Sequence, residues 1–109
     1  MKLYLKRTRS AIDASAEYDM ENKTFVVLKG SIVSATIANS PKFRGAKSIQ
    51  KTRVDAIDGT KVIKDISFKS ASTAANFVTG ASTNGLIAWK DASGKTLKSI
   101  LAELEDINE

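Results

Sequence analysis

Alternation of apolar and polar positions organises the first third of the chain. Leu3 and Leu5 fall on one side of residues 2–6, with Lys2, Tyr4 and Lys6 on the other, the period-two pattern of a short strand. Ile12, Ala14, Ala16 and Tyr18 then alternate with Asp13, Ser15 and Glu17. After a polar turn at 19–23 the chain resumes as Thr24-Phe25-Val26-Val27-Leu28, and the two runs together predict a β-hairpin. Gly30 marks a bulge or the end of the second strand, with residues 31–37 a candidate continuation.

The period changes at Ser40-Pro41, where a serine cap followed by a first-turn proline predicts a helix running to about residue 57. Phe43, Ala46, Ile49, Val54 and Ile57 are assigned to its apolar face. Arg44, Lys47 and Lys51, spaced i, i+3 and i+7, form a basic stripe opposite. Asp58-Gly59 signals a turn, and residues 61–68 read as a strand with Val62 and Ile63 in the core.

The densest stretch is 68–97. Ser70 is a good helix cap, and Ala71, Ala74, Ala75 and Val78 have the spacing of a helix that packs closely through small residues. Gly80 suits the residue just past its end. In the loop Ala81-Ser82-Thr83-Asn84-Gly85, the Asn-Gly pair predicts a tight turn with positive φ, leading into a strand over 86–90. A second turn at 91–94 precedes an amphipathic helix marked by Leu97, Ile100, Leu101 and Leu104. Its acids lie at the end where the macrodipole favours bases, so its last turn is expected to fray. The whole predicts one α+β domain over 1–109: a small, mostly antiparallel sheet with an N-terminal hairpin, packed by about three helices.

Composition narrows the chemistry. A chain of 109 residues with 42% hydrophobic and 27% charged content is ordinary for a globular domain, and no apolar run approaches the roughly 20 residues a membrane span needs. The basic N-terminus lacks an apolar core behind it, so a cytoplasmic protein with no secretory signal and no membrane association is expected. There is no Cys and no His, which removes disulfides, thiolate chemistry, iron–sulfur ligation and every Ser-His-Asp or His–metal arrangement. Ser48-Ile49-Gln50-Lys51 matches S-x-x-K but lacks the companion motifs of that chemistry. Gly80 and Gly85 have phosphate-loop spacing, yet Leu86 and Ile87 stand where Lys and Ser or Thr belong, and the loop follows a helix. No catalytic residues, metal ligands or cofactor are assigned.

Charge keeps binding open. All 17 bases and eight of the 12 acids lie in residues 1–100, a net +9, while the last nine residues hold four acids and no base. Such a basic body fits a nucleic acid or another anionic surface, or else a merely solvated surface. The candidate contacts are the stripe Arg44, Lys47 and Lys51, together with Lys69, Ser82, Thr83, Asn84, Gly85, Trp89 and Lys90. In that second group the loop hydroxyls and N–H groups would meet phosphates. Trp89 is read first as a core residue; exposed, it would be a stacking platform beside Lys90.

The run from Ser70 to Leu97 resembles the S-P-S-A-A-A … N-G-W-x-x-W-K-D … G-K-T-L signature of a prokaryotic domain of unknown function found C-terminal to GIY-YIG nuclease domains. It is also similar to the RAMA domain associated with restriction and adenine methylation. Ile12 to Tyr18 and Phe25-Val26-Val27-Leu28-Lys29-Gly30-Ser31 resemble that family's opening hairpin, so the likeness covers nearly the whole chain. Ala71 stands at the family's proline position, and Leu86 replaces the first tryptophan of N-G-W-x-x-W. No nuclease domain is expected ahead of the signature. The resemblance implies an accessory module that binds nucleic acid, DNA foremost, without catalysis of its own. The runner-up is a protein-interaction or regulatory subunit beside a separately encoded nuclease or methylase, for which the acidic C-terminus would be the contact. A carboxylate-based enzyme ranks third, since no acid pair is placed by the sequence into a shared cleft.

Overall fold

A computed structural model describes residues 1–38 and 46–107. The elements are β1 (Lys2–Arg7), β2 (Ile12–Asp19), β3 (Thr24–Val27), α1 (Ala46–Ala56), β4 (Ile57–Asp58), β5 (Lys61–Val62), β6 (Ile66–Phe68), α2 (Ala71–Thr79), α3 (Gly85–Ala88) and α4 (Leu97–Ile107). The α+β expectation holds: β1-β2-β3-β6 form an antiparallel four-stranded sheet, opened by the expected hairpin and packed by three longer helices. No helix among the described residues is long and apolar enough to cross a membrane.

Strict alternation gives the sheet two unlike faces. Leu3 and Leu5 of β1, Ile12, Ala14 and Ala16 of β2, and Phe25 and Val27 of β3 are buried on the inner face. Across β1–β2, Lys2 lies opposite Glu17, Tyr4 opposite Ser15 and Lys6 opposite Asp13 on the outer face. The inner face is covered by α2, whose Ala74, Ala75, Phe77 and Val78 join the strands and Trp89 in one core. Small residues in that core, Ala14 and Ala16 of β2 and Ala74 and Ala75 of α2, suit close packing of helix on sheet.

The caps of α2 follow the sequence reading. Ser70 accepts a hydrogen bond from the Thr73 N–H at 3.1 Å, and Gly80 ends the helix at φ 71°, in the left-handed region that glycine enters at no steric cost.

Three expectations give way. Residues 61–68 are not one strand: β5 pairs with β4, Ile63 is exposed at 47%, and β6 alone joins the main sheet on β3. Residues 31–37 do not extend β3; Ile32 only bridges Asp13 and Lys61. The inner face of α1 is Ile49, Arg53 and Ala56, whereas Val54 is 78% exposed. Ser40, Pro41, Phe43 and Arg44 lie outside the described residues.

Arg53 explains the changed face. It is 6% exposed, and its guanidinium donates to Phe77 O (3.1 and 2.6 Å), Ser34 O (3.0 Å), Ser34 Oγ (2.9 Å) and Val78 O (3.3 Å). Phe77 and Val78 end α2, where carbonyls lack helical partners and the dipole favours a cation. A planar fork of five donors can meet several of them at once, which an apolar Val54 could not. Burial pulls the guanidinium below its ordinary pKa without discharging it.

Two stability predictions follow from this packing. Arg53→Met leaves the Phe77 and Ser34 carbonyls unpaired and is expected to cost about 3 kcal/mol in urea unfolding, with Arg53→Lys losing less. Gly85 opens α3, where alanine would ordinarily gain up to about 1 kcal/mol. Here a Cβ would be driven into the Ala71 carbonyl and the Ser72 amide. Overpacking of about 1–3 kcal/mol outweighs that gain, so Gly85→Ala should lower the urea midpoint.

Candidate functional site

The loop between α2 and α3 is held by its own side chains. Ala81 N–H donates to Thr79 Oγ1 (3.3 Å), Thr83 N–H to Asn76 Oδ1 (2.8 Å), Gly85 N–H to Ser72 Oγ (3.0 Å) and Leu86 N–H to Asn84 Oδ1 (3.0 Å). Thr83 Oγ1 is likewise tied to Thr79 Oγ1 at 2.7 Å. The loop is therefore a fixed platform in which the Ala81, Thr83 and Gly85 amides are already paired, rather than an open cradle of N–H groups for phosphate. What it still presents to solvent is Ser82 and Asn84.

Asn84-Gly85 makes no positive-φ turn, and no strand follows. Asn84 caps the single-turn helix α3 from φ −78°, and glycine is required at 85 for close approach to α2. This short helix delivers Trp89 into the core at 0% exposure. Its ring packs 4.9 Å from that of Phe25 and its Nε1–H donates to Ala71 O at 3.0 Å. Trp89 is thus the core residue, with no face left for a base.

Burying Trp89 places its neighbour on the outside. Lys90 and Tyr4 exchange backbone hydrogen bonds, Tyr4 N–H to Lys90 O at 2.7 Å and Lys90 N–H to Tyr4 O at 2.9 Å. The 90s segment thereby covers the free edge of β1 and aligns its side chains with the outer face of that strand. A groove of about 290 Å³ results, lined by Lys6 and Arg7 from β1, Thr83 and Asn84 from the loop, Ile87 from α3, and Lys90. It adjoins a second groove of about 400 Å³ through the shared Lys6 and Lys90, where Tyr4 and Asp91 add to the wall. The Tyr4 ring is bracketed by two ammonium groups, Lys2 Nζ at 5.7 Å and Lys6 Nζ at 5.6 Å from its centroid.

Charge varies along this surface. Lys2 and Lys6 lie across from Glu17 and Asp13, and the N-terminal ammonium sits 3.4 Å from Glu17. Arg7 lies across from Ile12 and has no acid opposite it in the sheet, and Lys90 joins it along the groove. Asp91 is the acid of the second groove. Hydrogen bonds from the Ser93 hydroxyl, then from the Lys95 and Ser93 amides, hold its carboxyl below the ordinary value of 3.8.

The sequence-derived site is divided by the fold. Thr83, Asn84 and Lys90 share the groove. Lys47 and Lys51 lie together on the outer side of α1 with Val54, around a separate depression. Lys69 is exposed after β6, at the sheet edge opposite β1, and Gly85 is buried. Arg44 lies outside the described residues. Sequence reading missed Tyr4, Lys6, Arg7 and Ile87, although the outward positions of the first alternation had already separated Tyr4 and Lys6 from Leu3 and Leu5. Among the described residues, no group of three or more carboxylates gathers into a metal-binding cluster.

Trp89 is the single tryptophan, which makes its burial directly measurable. Native emission should lie at the short wavelengths of an apolar site, and iodide should quench it only after unfolding. Quenching in the folded protein would place the indole at the surface and refute this packing.

Every residue of both grooves falls within residues 4–101, the span matched by a protein-family model. No curated protein matches the chain, and no solved structure does. With nearly the full length covered, the chain belongs to the family described as a domain of unknown function, DUF4357.

Proposed function

We propose that this domain is a noncatalytic nucleic-acid-binding accessory module that holds a sugar-phosphate backbone along the groove between β1 and α3. The observation that carries the reading is convergence: Lys6 and Arg7 from one end of the chain and Thr83, Asn84 and Lys90 from the 83–90 segment come to one groove, beside an aromatic ring. Cations fix the backbone by counterion release, while hydroxyl and amide side chains position it. The net +9 of residues 1–100 supplies the attracting field.

The absence of His and Cys supports a role without catalysis, and the likeness to modules beside GIY-YIG nucleases and to RAMA domains supports work in a restriction, modification or nuclease system. Cytoplasmic residence belongs to the same proposal. One observation favours a second reading. Leu86 and Ile87 are exposed at 39% and 52%, an apolar pair that a separately encoded nuclease or methylase could cover.

Salt dependence tests the leading reading. Each cation that neutralises a phosphate contributes a slope of about 0.7 (single strand) to 0.9 (duplex) in log K against log salt. Replacing Lys6, Arg7 and Lys90 with Gln together should lower that slope by about 2 to 3. Replacing Lys47 and Lys51 should leave it unchanged. A slope that responds to the α1 pair instead, or no salt-sensitive binding at all, would overturn the assignment.

A further inference from the structure

The second groove contains features that backbone binding alone does not use: an aromatic ring and a carboxylate. Tyr4 projects from the outer face of β1 as a half-buried ring and shares a cleft of about 400 Å³ with Asp91, large enough for a small ligand. Resting on the reading of this surface as a nucleic-acid site, we propose that the cleft takes an unpaired guanine base, stacked on Tyr4 and read at its Watson–Crick edge by Asp91.

Magnitudes favour the stack. A stacked base is worth more than one exposed ammonium over the ring. A base that displaces Lys2 or Lys6 from the Tyr4 face frees that ammonium for the adjoining phosphate, so neither charge is lost. A base inside a duplex has both faces occupied by its neighbours, which restricts the site to single strands.

Asp91 sets the selectivity. Its Oδ1 is committed to its own turn, accepting from Ser93 N–H (2.9 Å), Ser93 Oγ–H (2.7 Å) and Lys95 N–H (3.0 Å). These bonds fix the carboxylate, and its Oδ2 has no hydrogen bond among the described residues. An ionised carboxylate only accepts, so it selects an edge that donates. Guanine offers N1–H and N2–H side by side. Thymine and uracil flank their single N–H with two carbonyl oxygens, which the carboxylate repels. The same repulsion steers phosphates away from Asp91 toward Lys6 and Arg7, placing base and backbone at opposite ends of the paired grooves.

Anisotropy of a labelled nine-residue dT strand, compared with the same strand carrying one central dG, tests the assignment. The dG strand should bind about tenfold tighter, the lower end of what hydrogen bonding to a charged acceptor, here Oδ2, supplies. Inosine, which lacks the N2 donor, should lose part of that gain with the wild-type protein. Asp91→Asn keeps an acceptor for the turn but turns a donor toward the base, and should abolish the preference. Tyr4→Ala should weaken both strands about tenfold or more. Salt-sensitive binding of the dT strand with no gain from dG, or a gain that survives Asp91→Asn, overturns the guanine inference and leaves the proposed function standing. No binding of either strand beside salt-sensitive binding of a duplex would overturn the guanine inference alone, and no binding of strands or duplex would sink both.

Discussion

The indole of Trp89 connects the core to the surface more directly than any other side chain here. Its ring packs on Phe25 of the sheet, its Nε1–H is tied to Ala71 at the start of α2, and its backbone links Gly85 on one side with Leu97 on the other. A side chain of this size supplies several kcal/mol of burial, and its one polar atom is satisfied, so nothing opposes that burial. Two consequences are geometric. Gly85 must be glycine, because α3 has to press onto α2 to aim the indole inward. Lys90, the next residue in an extended chain, must then point away from the core, where it meets Tyr4 of β1.

Positive charge is sorted by the same packing. Arg53 counts toward the basic composition but is withdrawn into the core, where it satisfies carbonyl groups at the end of α2. Lys95 is engaged by both carboxylate oxygens of Glu103, at 2.8 and 2.9 Å, and this pairing raises its pKa. Among the other described bases, position separates two sets: Lys6, Arg7 and Lys90 around one groove, and Lys47 and Lys51 around a depression on α1. Only the first set lies beside an aromatic ring and fixed polar side chains, which is the combination that single strands use.

Much of the fold was legible in the sequence because local rules and tertiary demands agreed. The alternation around Leu3 and Leu5, the hairpin, the Ser70 cap, the Gly80 terminus and the turn at 91–94 each express a short-range preference that the core then reinforces. The misreadings have one common cause, a distant partner that the sequence does not show. Val54 is apolar and Arg53 charged, so a hydrophobic wheel puts the wrong one inside; only the free carbonyls of α2 make Arg53 the better core residue. Asn84-Gly85 looks like a turn by local propensity, whereas the contact with Ala71 decides what glycine is for. Thr83, Asn84 and Lys90, singled out from the sequence, share one groove, but the Lys6 and Arg7 that line it with them are about 80 residues away in the chain, beyond any motif's reach.

The surface assembled by Trp89 and edged by β1 is the place where we propose that the domain meets a nucleic acid. Amide chemical-shift mapping during titration with a short unstructured DNA strand tests this most directly. The expected result is a set of perturbations centred on Tyr4, Lys6, Arg7, Asn84, Lys90 and Asp91, with Lys47, Lys51 and Val54 on α1 unmoved. Shifts centred on α1, or a spectrum unchanged by saturating DNA at low salt, would contradict it.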